Sequence, residues 1–119
     1  MANAKQVEKW IEGYRRAWES NDPAEIGALF TTNAEYYTAP FRQPWRGRDE
    51  IVARWIEGKD EPGQTTFDWK PVVLTDEVAV IEGVTTYPDE VYSNLWLISL
   101  DDEGRCRRFT EWWMLHPQG

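Results

Sequence analysis

Two strand-length arms in the last third of the chain fix, by their alternation, which side chains can share a surface. Tyr92-Ser-Asn-Leu-Trp-Leu-Ile-Ser-Leu100 is followed by Asp101-Asp-Glu-Gly104 and then by residues 105–115. A short connector ending in glycine, which takes positive φ freely, predicts a hairpin. Side chains alternate along a strand. Tyr92, Asn94, Trp96 and Ile98 therefore share one face of the first arm, with Leu95 and Leu97 on the other. In the second arm Phe109, Glu111, Trp113 and Leu115 stand opposite Thr110, Trp112 and Met114. The connector's length sets even positions of the first arm beside odd positions of the second. Asn94, Trp96, Glu111 and Trp113 then form one surface, an aromatic wall carrying one carboxylate and one carboxamide. A carboxylate so placed needs a hidden partner or a chemical task.

The preceding two-thirds of the chain must cover that wall. Over residues 4–20 apolar side chains recur at Val7, Trp10, Ile11, Tyr14, Ala17 and Trp18, one stripe of a helix, with the Tyr14 hydroxyl pointing into the fold. Asn21-Asp-Pro23 ends this helix and opens a second over 23–30, because Asp22 suits an N-cap and Pro23 the first helical position. A turn at Thr31-Thr-Asn33 and a brief strand over 34–38 follow. Residues 39–45 contain Pro40 and Pro44 and cannot be regular; Phe41 and Trp45 suit either a flap folded over apolar surface or ordinary loop packing. A third helix starts with Asp49 and Glu50 at its favourable end, carries Ile51, Val52, Trp55 and Ile56, and stops at Gly58. After a polar loop over 59–64 come strands over 65–75, 77–87, 91–100 and 105–115. The order predicts an α+β fold with three N-terminal helices on one face of a curved antiparallel sheet.

Composition narrows the function. At 119 residues the chain is expected to be one domain spanning 1–119. A net charge of −8 opposes a nucleic-acid or anionic-membrane partner, and Arg105, Arg107 and Arg108 are too few to reverse it. One cysteine, Cys106, precludes an internal disulfide, and one histidine, His116, precludes a histidine triad for a metal; no cofactor is expected. Without an apolar leader or a long apolar run, a soluble cytoplasmic protein is expected. The second sheet face is apolar as well, through Val78, Val80, Val84, Leu95, Leu97, Trp112 and Met114. Three helices cover only one face, so a homodimer through the outer one is expected.

Phe30-Thr-Thr-Asn-Ala-Glu-Tyr, Trp45-Arg-Gly-Arg-Asp-Glu-Ile and the closing Asp-Glu-Gly-Arg…Thr-Glu-Trp-Trp, in this order, resemble the nuclear transport factor 2-like superfamily. Within it the chain is most similar to the SnoaL-like and ketosteroid-isomerase-like branch. The resemblance implies a cone-shaped fold whose strongly bent sheet wraps helices around one deep apolar pocket, commonly in a dimer. In steroid isomerases of this type a first-helix tyrosine polarises the substrate carbonyl, and Tyr14 holds that place. The proton-shuttling aspartate falls near Thr38, the oxyanion-hole aspartate on Trp96, and two supporting tyrosines on Phe30 and Trp55. Trp113 matches a pocket tryptophan, and Glu111 replaces a small residue. The final-strand aspartate of the cyclase branch corresponds to Met114. Neither mechanism carries over whole.

The candidate catalytic groups are Glu111, Tyr14 and Asn94. Trp18, Phe41, Trp45, Trp55, Tyr92, Trp96 and Trp113 are the candidate ligand-binding lining. A largely aromatic wall with few converging polar groups suits a small hydrophobic molecule. Buried without a cation, Glu111 would be tuned toward proton transfer near neutrality; alternatively it accepts from an indole or pairs with an arginine such as Arg42. Isomerase-, cyclase- or hydratase-like chemistry follows from the first arrangement. The alternative is a non-catalytic small-molecule binder, and a protein-interaction adaptor is a third class.

Overall fold

The first helix forms where its stripe places it. In the computed structural model, which describes residues 4–58 and 66–117, α1 spans Ala4–Ser20 and buries Val7, Trp10, Ile11, Tyr14 and Ala17. It ends at Asn21, which takes φ 51° and returns its N–H to the Ala17 carbonyl at 2.8 Å. Asparagine is one of the few residues that tolerates this left-handed cap. Asp22 then caps α2 (Pro23–Gly27), its Oδ1 accepting from the Ala24 N–H at 2.9 Å.

Here the structure departs from the sequence expectation. The second helix stops at Gly27, and residues 31–33 belong to a strand, β1 (Phe30–Tyr37), not to a turn. The Leu29 carbonyl accepts from both the Trp10 indole at 2.9 Å and the Cys106 N–H at 2.7 Å. That shared acceptor pulls the chain out of the helix and into the sheet. The irregularity expected at 31–33 survives as a register shift between Phe30 and Glu35.

The remaining elements are β2 (Trp45–Arg46), α3 (Arg48–Glu57), β3 (Thr66–Leu74), β4 (Ala79–Thr86), β5 (Val91–Leu100) and β6 (Cys106–Leu115). The loop expected over 59–64, and the first residue of the strand expected from 65, lie outside the described residues. One curved, unclosed sheet runs β2-β1-β6-β5-β4-β3. All its pairs are antiparallel except β1 with β6. The closing hairpin has the register read from the sequence, with Trp96 opposite Glu111 and Asn94 opposite Trp113. Gly104 takes φ 81°, and Asp101 Oδ1 accepts from the N–H groups of Glu103 and Arg105, both at 2.9 Å.

The helices pack on the inner sheet face through rings. Trp10 lies over Phe109, and Tyr14 meets Trp55, Trp96 and Phe109. Phe67 stacks on Trp96 with centroids 4.6 Å apart and planes 15° from parallel. That stack exists because β4 has no side chain at Gly83: a Cβ there would lie 2.5 Å from Phe67 Cε1 and Cζ. Gly83→Ala is therefore expected to cost about 1–3 kcal/mol by overpacking, read as a lowered urea midpoint. Cys106 is fully buried, and burial pushes its thiol up to about 12, so it is a packing residue.

On the outer face Trp112 and Met114 are 51% and 71% exposed, beside partly exposed Val80, Val84, Leu95 and Leu97. Among the described residues no helix is long and apolar enough to cross a membrane.

Candidate functional site

Alternation on β6 turns Glu111 inward, and its cross-strand neighbours hold it there. The Trp96 indole Nε1–H donates to Glu111 Oε2 at 3.2 Å, and Asn94 Nδ2 donates to the same oxygen at 2.5 Å. Thr85, on the adjacent β4, donates from Oγ1 to Asn94 Oδ1 at 2.6 Å. With its oxygen engaged there, the Asn94 amide can present only its N–H side to Glu111. Asn94 thus orients the carboxylate. Among the described residues no ion pair reaches Glu111, and Arg42 stands exposed elsewhere. Burial raises the Glu111 pKa from its ordinary value, outweighing the two donors, which pull it down. The indole donor expected for Glu111 is present, and so is the desolvation that would tune it.

The Tyr14 hydroxyl faces a partner that periodicity did not single out. Tyr36 on β1 meets it at 2.7 Å, O to O. Burial drives both phenol pKa values well upward, so both remain protonated. One hydroxyl of the pair donates to the other, and the second proton stays available to a ligand oxygen. Support for Tyr14 thus comes from Tyr36, while Phe30 and Trp55 contribute rings only. Tyr36→Phe should cost about 1–2 kcal/mol by orphaning a buried hydroxyl. Tyr92→Phe, whose hydroxyl donates to Glu90 at an exposed site, should leave the midpoint nearly unchanged. Chemical denaturation of the two variants checks the contrast.

These groups converge on one cavity of about 750 Å³. Tyr14, Asn94 and Glu111 line it, as do Trp18, Trp45, Trp55, Tyr92, Trp96 and Trp113. Phe41 does not. It is 88% exposed, because a turn closed by Arg42 N–H to the Ala39 carbonyl buries Ala39 and throws the next aromatic outward. Trp45 alone of that segment reaches the cavity, stacked on Tyr36 at 4.8 Å. Tyr36, Thr85, Tyr87, Asp89, Glu90 and Arg54 also line it without having been singled out. Continuing the alternation back through β4 would have found Thr85, and through β1 Tyr36; nothing local marks the turn residues. Among the described residues, no three of His, Cys, Asp and Glu gather closely enough to hold a metal ion.

A family model for the SnoaL-like domain matches residues 11–115. No curated protein matches the sequence. Several solved structures share the fold. A protein from Sphaerobacter thermophilus is 23% identical, with a TM-score of 0.72 covering 96% of this chain and 97% of its own. An NTF-2 like protein of unknown function from Burkholderia xenovorans LB400 is 10% identical, with a TM-score of 0.75 over 97% of this chain and 88% of its own. The epoxide hydrolase/cyclase-like enzyme SalBIII, of pyran ring formation in the polyether salinomycin, is 14% identical, with a TM-score of 0.73 over 96% and 95%. At such identities the likeness is one of architecture: three helices laid in the hollow of a cone-forming, unclosed sheet.

Proposed function

This chain belongs to the SnoaL-like domain family of the nuclear transport factor 2-like superfamily, and from that premise we propose that it moves a proton on a small hydrophobic molecule held in the aromatic cavity. Glu111 is the acid–base group, and the Tyr14–Tyr36 hydroxyl pair binds and polarises an oxygen of the same molecule. Asn94, backed by Thr85, positions Glu111. The reaction class is isomerisation, cyclisation or hydration, each of which shifts a proton at one atom while charge develops on an oxygen. SalBIII, named for pyran ring formation, lends support to the cyclase member of that class on the same architecture.

One observation carries the proposal. Glu111 has no cationic partner among the described residues, yet two neutral donors fix its direction at the cavity wall. A purely structural acid is normally compensated by a cation. The test incubates the chain with a panel of small unsaturated ketones, epoxy-alcohols and alkenols in ²H₂O. Recovered molecules are then analysed by mass spectrometry. Deuterium incorporation or a changed skeleton supports the assignment; molecules that bind and return unaltered throughout would leave only a binding protein.

A second copy of the chain is the proposed occupant of the outer sheet face, since a two-fold axis lets one apolar patch cover itself. Trp112→Glu with Met114→Lys should convert a dimer to a monomer in light scattering. A monomer in the unmodified chain would remove the idea.

A further inference from the structure

Where the cavity wall meets solvent, three partly exposed aromatic rings pack edge to face. Tyr87 and Tyr92 meet at 5.8 Å with planes 86° apart, and Tyr92 and Trp113 at 6.0 Å with planes 82° apart. Each near-perpendicular contact makes a corner in which the face of one ring adjoins the edge of the next. The β4–β5 turn holds the first corner, through the Tyr87 N–H donated to the Glu90 carbonyl at 2.8 Å. The β5–β6 register holds the second, since Trp113 lies opposite Asn94, two residues along the inner face from Tyr92. Trp113 is 49% exposed, so the second corner is reachable from solvent.

Carboxylates flank these rings. The Tyr92 hydroxyl donates to Glu90 Oε2 at 3.0 Å, which fixes an anion beside the ring it belongs to. Among the described residues, Asp89, Glu90 and Glu111 line the cavity against one guanidinium, Arg54, which is itself ion-paired with Glu57 at 3.9 Å. Aromatic faces attract a cation within about 6 Å of their centroids, and the chain's charge of −8 concentrates cations around it. An anionic ligand meets repulsion at this mouth. A neutral one gains nothing from the acids there.

We infer that the ligand is an amphipathic organic cation. Its amine or quaternary ammonium nitrogen sits in the corner of Tyr92 and Trp113 with Glu90 as counter-charge, and its apolar body enters the cavity. The inference rests on the small-molecule reading of the cavity and adds the ligand's charge. The nitrogen belongs at the mouth because a cation carried inward to Glu111 must shed its water. It would also cancel the desolvation that makes that carboxylate a base.

Phenyltrimethylammonium and tert-butylbenzene have the same shape and differ in charge. Each is titrated into the full chain and into its Trp113→Leu, Glu90→Gln and Glu111→Gln variants, with binding followed by calorimetry and tryptophan fluorescence. The cation should bind about tenfold or more tightly than its isostere. That advantage should fall below about threefold in Trp113→Leu, shrink in Glu90→Gln and persist in Glu111→Gln. Circular dichroism checks that each variant is folded. Equal binding of the two probes overturns the cation assignment while leaving the cavity a small-molecule site. An advantage that survives Trp113→Leu and disappears in Glu111→Gln also overturns it, by placing the charge inside. If neither probe binds, both the assignment and the small-molecule reading fall.

Discussion

Glu111→Gln should lower turnover of a responsive substrate by about two to four orders of magnitude, the range for removing a general acid–base group. The chain should stay folded, because glutamine retains an oxygen able to accept from Asn94 and Trp96. It should even gain stability. The Glu111 carboxyl holds its proton more firmly in the folded chain than in the unfolded one. Its stabilising contribution is therefore fully present below the ordinary carboxylate range and is lost as pH rises through the raised folded value. Glutamine does not titrate. The variant should match or trail the parent at low pH and exceed it near neutrality, as is common where function opposes stability. Urea titrations across pH, run beside the turnover assay, read both effects. If turnover is unchanged, the acid–base role is wrong; if the stability gap ignores pH, the desolvation argument is wrong.

The second large effect concerns Trp96, which is 2% exposed and touches Tyr14, Phe67 and Phe109 while donating to Glu111. Trp96→Ala should cost about 3–5 kcal/mol, a large part of the roughly 5–15 kcal/mol that holds a domain together. That corresponds to a fall in Tm of roughly 10–25 °C. Trp96→Phe keeps most of the ring packing and removes only the N–H. It should cost less and push the Glu111 carboxyl still higher, moving the ascending limb of the pH–rate profile upward. Trp113→Ala, at a half-exposed tryptophan on the same face, should cost about 1 kcal/mol or less. Differential scanning calorimetry of the three separates the ring that builds the wall from the ring that finishes it.

What could be read from residues alone was whatever depends on local period. The α1 stripe and the hairpin register follow from spacings of three to four and of two, so the inward placement of Tyr14, Asn94, Trp96 and Glu111 is legible in the sequence. The parallel pairing of β1 with β6 joins residues more than seventy positions apart and leaves no periodic trace. Tyr36 was hidden for that reason: its importance comes from Tyr14, on another element, and not from its neighbours in sequence. Phe41 failed oppositely. Between two prolines no period decides which way a side chain leaves, and one backbone bond at Ala39 decided it. Glu111's partners were guessable as a class, an indole or an arginine, but the choice needed the geometry.

The sheet order carries a consequence for how the molecule is made. The strand bearing Glu111 is synthesised after the other five, yet it lies between β1 and β5. Until it emerges from the ribosome, the nascent chain can hold only two unjoined fragments, β2 with β1 and β3 through β5. A chain that stops short of that strand has neither a closed hollow nor its acid, and leaves two raw edges open to aggregation. Completion of the scaffold and arming of its chemistry are thus one event on the synthetic timetable.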